Sequence, residues 1–474
     1  MYDVGNYEER AGSRAWRPMP PQFVTFVPYA CGQLEASFEV RVNVECQGQY
    51  YGVDDKKKNK RLSQRRLGAY STRRALVVPS GSVLAVARAP TAANLVLDDG
   101  VVLVHAVMDS AENLVEIAFR RCVTIPRMLI QVIGWSVPHH EFLSRLTIRW
   151  AALDAIALYE FSKFLSNVNL TEICLDDSPV KGRNYEVLLA SPNHLRYLSL
   201  ARCNLDDEDT ARLAMHLQYP RPAASTLAVL LLAANRVGDA GAAALADALR
   251  SNRTLRCLNL SGNVISDVGA ISIFDTLTEF PLTTDEIIKK RLRFLEYLKL
   301  KSEVYDKCVR QLILERNHDE ARAMRRRPTM QAPQRRISVK ASQFSNALYQ
   351  KAETLANDLV GMFTDPFSVE QTVTRSDHTY CIGNTSLCWL NLSYNNLEYS
   401  SLGALYEALV HQQWLGPRAA PGLLRVNVDG NRLPVDCDQL FLIEDLLDKA
   451  RCSKSRQIKH VVEKLRPGRV RSSS

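Results

Sequence analysis

The chain has 474 residues, of which 46% are hydrophobic and 23% charged, with a formal net charge of +9. That is an ordinary globular balance with enough apolar residue for a large core, and no apolar run approaches the roughly 20 residues that span a bilayer. The 11 cysteines are odd in number and scattered with no CxxC pair, which argues against a disulfide scaffold and predicts free thiols in a reducing compartment.

Residues 1–21 are polar and lack the apolar core of a signal peptide. An intracellular, soluble chain is therefore expected, in which the sequons at Asn169 and Asn384 carry no glycan. From residue 22 to 128 the chain reads as β-rich. Phe23 to Pro28, Ser37 to Val44, Leu76 to Pro79, Ser82 to Ala87 and Val101 to Val107 are short Val- and Phe-rich stretches, separated by turns such as Asp98-Asp99-Gly100. The basic run Lys56 to Arg66 has no apolar period and reads as an exposed loop. Leu129 to Trp135 reads as one more strand, an irregular capping repeat of the kind that covers the end of a stacked core.

A motif of the form LxxLxLxxNxL then recurs. Its best copy is Leu255, Leu258, Leu260, Asn263, Ile265, and the copy 28 residues earlier is Leu227, Leu230, Leu232, Asn235, Val237. Leu195, Leu198, Leu200, Cys203, Leu205 carries Cys in the Asn position. Leu170, Ile173, Leu175 and Leu143, Leu146, Ile148, Leu153 are weaker copies. After an interruption come Leu387, Leu390, Leu392, Asn395, Leu397 and Leu423, Val426, Val428, Asn431, Leu433. The xLxL core predicts a short strand whose alternate residues point inward. The Asn predicts a cap on the turn that follows, and stretches such as Ala240 to Leu249 predict an amphipathic helix. Each unit exposes one apolar face and must stack to bury it. The fold class is thus α/β, a leucine-rich-repeat solenoid of the long, ribonuclease-inhibitor-like type, with a curved parallel sheet and outer helices.

The interruption carries the charge. Between Glu286 and Lys340, 16 Lys or Arg stand against 7 Asp or Glu, so this segment holds the whole excess. The acidic residues at its start and the absence of Pro and Gly predict one long helix from about Glu286 to Met324. Ile288, Leu295, Ser302 and Val309 recur every seven residues, with Leu298, Tyr305 and Leu312 between them, a pattern resembling three imperfect coiled-coil heptads. Such a helix either folds back or projects toward a partner. A linker follows, in which Arg326-Arg327-Pro328-Thr329 and Arg335-Arg336-Ile337-Ser338 have the form preferred by basophilic kinases. Thr329 and Ser338 are therefore candidate phosphorylation sites. The expected organisation is an N-terminus at 1–21, a β-rich region at 22–128, repeats at 129–282, the insertion at 283–384, repeats at 385–450 and a basic tail at 451–474.

No catalytic constellation is present: there is no P-loop and no GxGxxG, and His139-His140-Glu141 lacks the second histidine of a zinc helix. No enzyme, metal, cofactor or small-molecule substrate is expected. In each repeat the residues between the strand leucines should line the concave face. Among them Trp389, Tyr197, Arg145, Arg149, Arg425 and Asn391 are the candidate protein-binding residues, because aromatic and Arg side chains on a rigid sheet make binding hot spots. Leu295, Leu298, Tyr305 and Val309 are the candidates on the inserted helix. The basic residues of the insertion are interleaved with acids and few aromatics, which argues against nucleic acid.

The order of these features resembles one family, the ciliary leucine-rich repeat-containing protein seventy-one family, from about Gln131 to Cys452. The resemblance rests on Ile133-Gly134-Trp135, on Tyr185 to Leu205, on Ser251-Asn252-Arg253-Thr254-Leu255, on Phe280 to Glu286 before a basic helix, and on the resumption at Leu387-Cys-Trp-Leu-Asn-Leu392. The family's insertion is longer and Lys-rich, and the strands before Cys122 have no match in it. The resemblance implies a non-catalytic structural component of the ciliary or flagellar axoneme, in the cytoskeleton, with other axonemal proteins as partners. Tubulin or doublet and central-pair components are among these, since tubulin tails are acidic and the insertion and tail are basic. The alternative is a cytosolic regulatory repeat module of the inhibitor or GTPase-regulator type.

Overall fold

The computed structural model describes residues 17–46, 100–122, 124–325, 338–376, 378–416, 422–434 and 437–464, with the side chains of 319–325, 338–346 and 453–464 outside that description. It divides into two compact units, residues 1–274 with 384–474, and residues 275–383.

The first unit is a solenoid on one sheet of ten strands. These are β1 (Glu39–Cys46), β2 (Val101–Met108), β3 (Leu114–Arg120), β4 (Arg145–Arg149), β5 (Glu172–Cys174), β6 (Tyr197–Ser199), β7 (Val229–Leu231) and β8 (Cys257–Asn259), then the strands Trp389–Asn391 and Arg425–Asn427. From β3 onward every pairing is parallel. The order follows the chain, as expected when each strand is returned by a helix on the same side. The motif leucines point inward: Leu198, Leu230, Leu258 and Leu390 are completely buried, and each such side chain contributes roughly 1.5–3 kcal/mol. Helices Asp207–Leu217, Asp239–Ser251 and Asp267–Asp275 close the other side of that core.

The Asn of the motif does more than cap its own turn. The Asn235 side-chain amide donates to the carbonyls of Leu232 and, one repeat back, Leu200, while its oxygen accepts the N–H groups of Cys203 and Leu205. Asn263, Asn395 and Asn431 repeat this pattern on the repeats before them. Cys203 keeps one such contact, from its Sγ to the Leu175 carbonyl at 3.1 Å. The helix starts interlock in the same direction. Asp239 accepts the N–H groups of Ser266 and Gly269 in the next repeat. A Cβ at Gly269 would stand 2.6 Å from that carboxylate, which is why glycine opens this helix. Asp267 carries the chain of contacts on to Glu398 and Ser400, so both interlocks run straight across the 275–383 interruption.

Four elements differ from the sequence reading, one of them helix Ser338–Val360, which stands where a linker is predicted. Phe23 to Pro28 is the start of a helix, Phe23–Gln33, and Leu129 to Trp135 lies in another, Arg127–Ser136. In the first, Phe23, Phe26, Val27, Ala30 and Cys31 are buried, and in the second Leu129, Ile130, Val132, Ile133 and Ser136. Both sets follow the 3.6 period of one helix face, which outweighs the β-propensity of the residues themselves. The chain after residue 450 is helical through Lys464, as part of Asp438–Lys464, where a basic tail was expected. Ile443 and Leu447 of that helix are buried, and it packs on helix Tyr399–Trp414. The stretches Leu76 to Pro79, Ser82 to Ala87 and Lys56 to Arg66 lie outside the described residues.

The second unit joins a helical hairpin to a small antiparallel sheet. β9 (Phe280–Pro281) comes first, then helix Thr284–Arg325, helix Ser338–Val360, β10 (Thr372–Arg375) and β11 (His378–Cys381). The two solenoid strands that follow are β12 (Trp389–Asn391) and β13 (Arg425–Asn427). Helix Thr284–Arg325 matches the long helix expected, but its heptad face meets its own chain. Cys308, Leu312, Val304, Tyr305 and Val309 pack with Leu348 and Ala352 of the second helix. Tyr297 reaches the Gly361 carbonyl, so the pairing runs antiparallel. Beside it Phe280, Leu282, Phe367 and Cys381 form a separate small core, and Arg293 pairs at 2.7 Å with the buried Asp365 carboxylate.

Candidate functional site

The strand residues between the inward leucines form two ladders on the open face of the solenoid sheet. One runs Glu116, Arg145, Glu172, Tyr197, Val229, Cys257, Trp389, Arg425. The other runs Ala118, Thr147, Cys174, Ser199, Leu231, Asn259, Asn391, Asn427. Regular parallel pairing sets neighbouring rungs about 4.8 Å apart.

The N-terminal end of this face is charged and largely self-neutralised. Arg145 Nε donates to Glu172 at 2.6 Å and its Nη1 to Glu116 at 3.4 Å, while Thr147 donates to the other oxygen of Glu116. The Glu172 bond is the first cause that holds the Arg145 guanidinium above its ordinary pKa. Arg149 lies 3.6 Å from Asp176, whose second oxygen accepts from Ser199. Burial pushes the Cys174 thiol and the Tyr197 phenol up, so both stay neutral. Neither Arg145 nor Arg149 is simply solvated: Arg145 is committed to carboxylates of its own sheet and Arg149 to one in the turn after β5. Together with Arg120, Arg121, Trp150 and Tyr197 they line an open cleft of about 490 Å³.

The C-terminal end has different chemistry. Val229, Leu231 and Cys257 make an apolar middle, followed by half-buried Trp389 and exposed Arg425. Arg425 has no carboxylate partner among the described residues. Asn259, Asn391 and Asn427 each spend their side-chain oxygen on the N–H two residues ahead. This leaves three amide N–H groups in a row on the open face. Trp389, Asn391 and Arg425 are thus brought together, three strands (roughly 14 Å) from Tyr197.

Four further candidates belong to the second unit. Leu295 and Leu298 are exposed on helix Thr284–Arg325. Tyr305 and Val309 are covered by helix Ser338–Val360, so the coiled-coil seam expected to meet a partner is closed within the chain. Ser338 opens that second helix, its side chain outside the described residues, and Thr329 lies wholly outside them.

The sequence reading missed a third ladder. Two residues after the second strand leucine the backbone turns left-handed in every repeat: Trp150 (φ 58°), Asp177, Arg202, Ala234, Gly262, Tyr394 (φ 56°) and Gly430. For a side chain this conformation costs on the order of 1–2 kcal/mol. Trp150 and Tyr394 bear it while 62% and 68% exposed, so the turn sets two large aromatic side chains on the surface. The signal was the fixed offset from the leucines, visible at Gly262 and Gly430.

Among the described residues no group of three or more His, Cys, Asp or Glu is placed to hold a metal ion. His140 packs edge-on against Phe23 and contacts Ser136. Among the described residues no helix is long and apolar enough to cross a membrane. A search of curated proteins finds no match. A family model described as Leucine Rich repeat matches residues 191–213 and 251–274. Those two segments hold β6 and β8 with their asparagine-position residues Cys203 and Asn263 and the helix starts that follow. With the pairing and the interlocks carrying the same unit through the rest of the sheet, the chain contains a leucine-rich-repeat solenoid, a module that suggests protein–protein interaction.

Proposed function

We propose that this chain is a non-catalytic scaffold or adaptor of the ciliary or flagellar axoneme that binds protein partners through the open face of its repeat sheet. The observation that carries the binding reading is the continuity of that face. β8 pairs directly with β12, so the excursion through residues 275–383 leaves an unbroken surface on which Trp389, Arg425 and Tyr197 are displayed. Aromatic and Arg groups on a preformed sheet bind at low entropic cost. The axonemal part is supported by the resemblance in the order of repeats and in the point of interruption after Glu286. Other axonemal proteins, tubulin or doublet and central-pair components among them, are the partners this reading names.

The test is location and retention. The protein is tagged in a ciliated cell, and the axoneme is extracted with detergent and then with high salt. Retention after detergent, reduced in a Trp389→Ala/Arg425→Ala variant, is the expected result. A wild-type protein that washes out with the cytosol would overturn the axonemal reading in favour of a cytosolic regulatory module.

A further inference from the structure

The strand-entry rim of the solenoid carries a second surface whose charge is not neutralised from within. Arg196, Ala228 and Arg256 occupy the same position in three successive repeats, one residue before β6, β7 and β8. Their backbones are stitched together: the Arg196 carbonyl accepts the N–H groups of Ala228 and Val229, and the Ala228 carbonyl accepts those of Arg256 and Cys257. Two strand spacings therefore separate the two arginine Cα atoms, roughly 10 Å. The methyl group of Ala228 between them leaves a notch of about 520 Å³, into which His194, Ser225 and Thr254 also open. Arg253 adds a third guanidinium, anchored by Nη1 to the carbonyls of Leu249 and Asn252.

No carboxylate lines this notch. Arg196 and Arg256 are exposed, and neither has a side-chain partner among the described residues. The contrast with the open face is direct, since Arg145 and Arg149, also on the sheet, have theirs. The hydroxyls of Ser225 and Thr254 are likewise uncommitted. Donors without acceptors, on backbone held by its own sheet, are preorganised for an anion.

We propose that this notch docks an extended acidic segment of a partner protein, with carboxylates three residues apart seated on Arg196 and Arg256. In polyproline II conformation, with three residues per turn, side chains three residues apart share one face and stand about 9 Å apart, which matches the separation of the two arginines. Guanidinium pairs with carboxylate in a two-pronged geometry that lysine cannot supply. No Phe, Tyr or Trp lines the notch as a platform for stacking successive bases, which disfavours single-stranded nucleic acid. The inference rests on the reading that the chain binds proteins.

The experiment uses the full chain and fluorescence anisotropy with a labelled peptide carrying glutamates three residues apart, and its all-glutamine counterpart. The glutamate peptide should bind the wild type, and Arg196→Gln/Arg256→Gln should weaken it by about tenfold or more. A charge-matched control, Lys181→Gln/Lys299→Gln, should stay within about twofold, as expected of exposed charges outside the site. Equal weakening by both pairs would overturn the proposal, because attraction would then follow net charge. Equal binding of the two peptides would overturn it too, as would a phosphoserine peptide that binds far more tightly than the glutamate one and is displaced by inorganic phosphate. Because the readout is a purified protein with a synthetic peptide, loss of axonemal retention leaves this result standing, and the reverse holds as well.

Discussion

The solenoid and the inserted hairpin use helices and leucines in opposite ways. In the solenoid, every repeat leaves backbone groups that only its neighbour can answer, and Asn235, Asn263, Asn395 and Asn431 answer them. The hairpin has a narrow seam centred on Cys308, Leu312 and Ala352. On its long helix Ile288, Leu292, Leu295, Leu300 and Leu314 stay 47–68% exposed. Stability in the first is shared from repeat to repeat, whereas in the second it is local and thin. A polar side chain can therefore matter more to the solenoid than an apolar one does to the hairpin.

The strongest test of that contrast is Asn263→Ala. It leaves the buried Val237 N–H without its acceptor and takes one of two amide donors from each of the Leu232 and Leu260 carbonyls, which keep Asn235 and Asn395, and should cost about 1–3 kcal/mol. Urea denaturation followed by circular dichroism should show the whole solenoid transition moving. A loss confined to one repeat would mean the interlock is not cooperative.

Small-to-large substitution at the hairpin seam should do less and do it locally. Ala352→Leu overfills a completely buried position and should cost about 1–3 kcal/mol. Amide exchange should rise in residues 347–360 while β6 to β8 keep their protection. Faster exchange in those strands would show that the two regions are coupled.

The smallest effect concerns pH. Burial first, and then His139, hold the His140 pKa below its ordinary value. Above that ordinary value both folded and unfolded chains are neutral and the fold has its full stability. As pH falls through it the unfolded chain takes up the proton first, so stability declines toward the lower folded pKa. A His140→Phe variant, keeping a ring against Phe23, should melt with a shallower dependence between pH 7 and 5.5. His216, lowered by burial and then by Arg221, supplies a remaining slope. An unchanged profile would show that His140 contributes none of it.

The repeats were legible because leucine spacing is dictated by a strand that must turn its alternate residues inward. Cys203 could be placed in the Asn position for the same reason. The N-terminal helices were not, because Phe23 and Val27, or Ile130 and Ile133, are residues that strands also favour, and only their spacing separates the two outcomes. Helix Ser338–Val360 stands where the sequence predicts a linker. Its apolar residues Leu348, Ala352, Leu355, Ala356 and Leu359 do keep a helical period, but much of the seam is alanine. On the open face the sequence located Tyr197, Trp389 and Arg425 on outward rungs. It could not tell that Arg145 and Arg149 are already paired, since Glu116 and Glu172 come from other strands and Asp176 from the turn after β5.

Gly383 sits where the excursion through residues 275–383 ends. Its φ is +97°, and a Cβ there would lie 2.5 Å from the Thr278 carbonyl oxygen, so the segment leaves and returns at one point. This bears on the order in which the chain folds. Between Asn259 and Trp389 lie 129 residues, against 25 between Leu231 and Cys257. Closing the longer loop costs roughly 1.5 kcal/mol more. Once Cys381 pairs with Phe280, the distance left to close shrinks to about that of an ordinary repeat. The insertion thus works as a splint: folding it first lets β12 find β8 as though nothing lay between them.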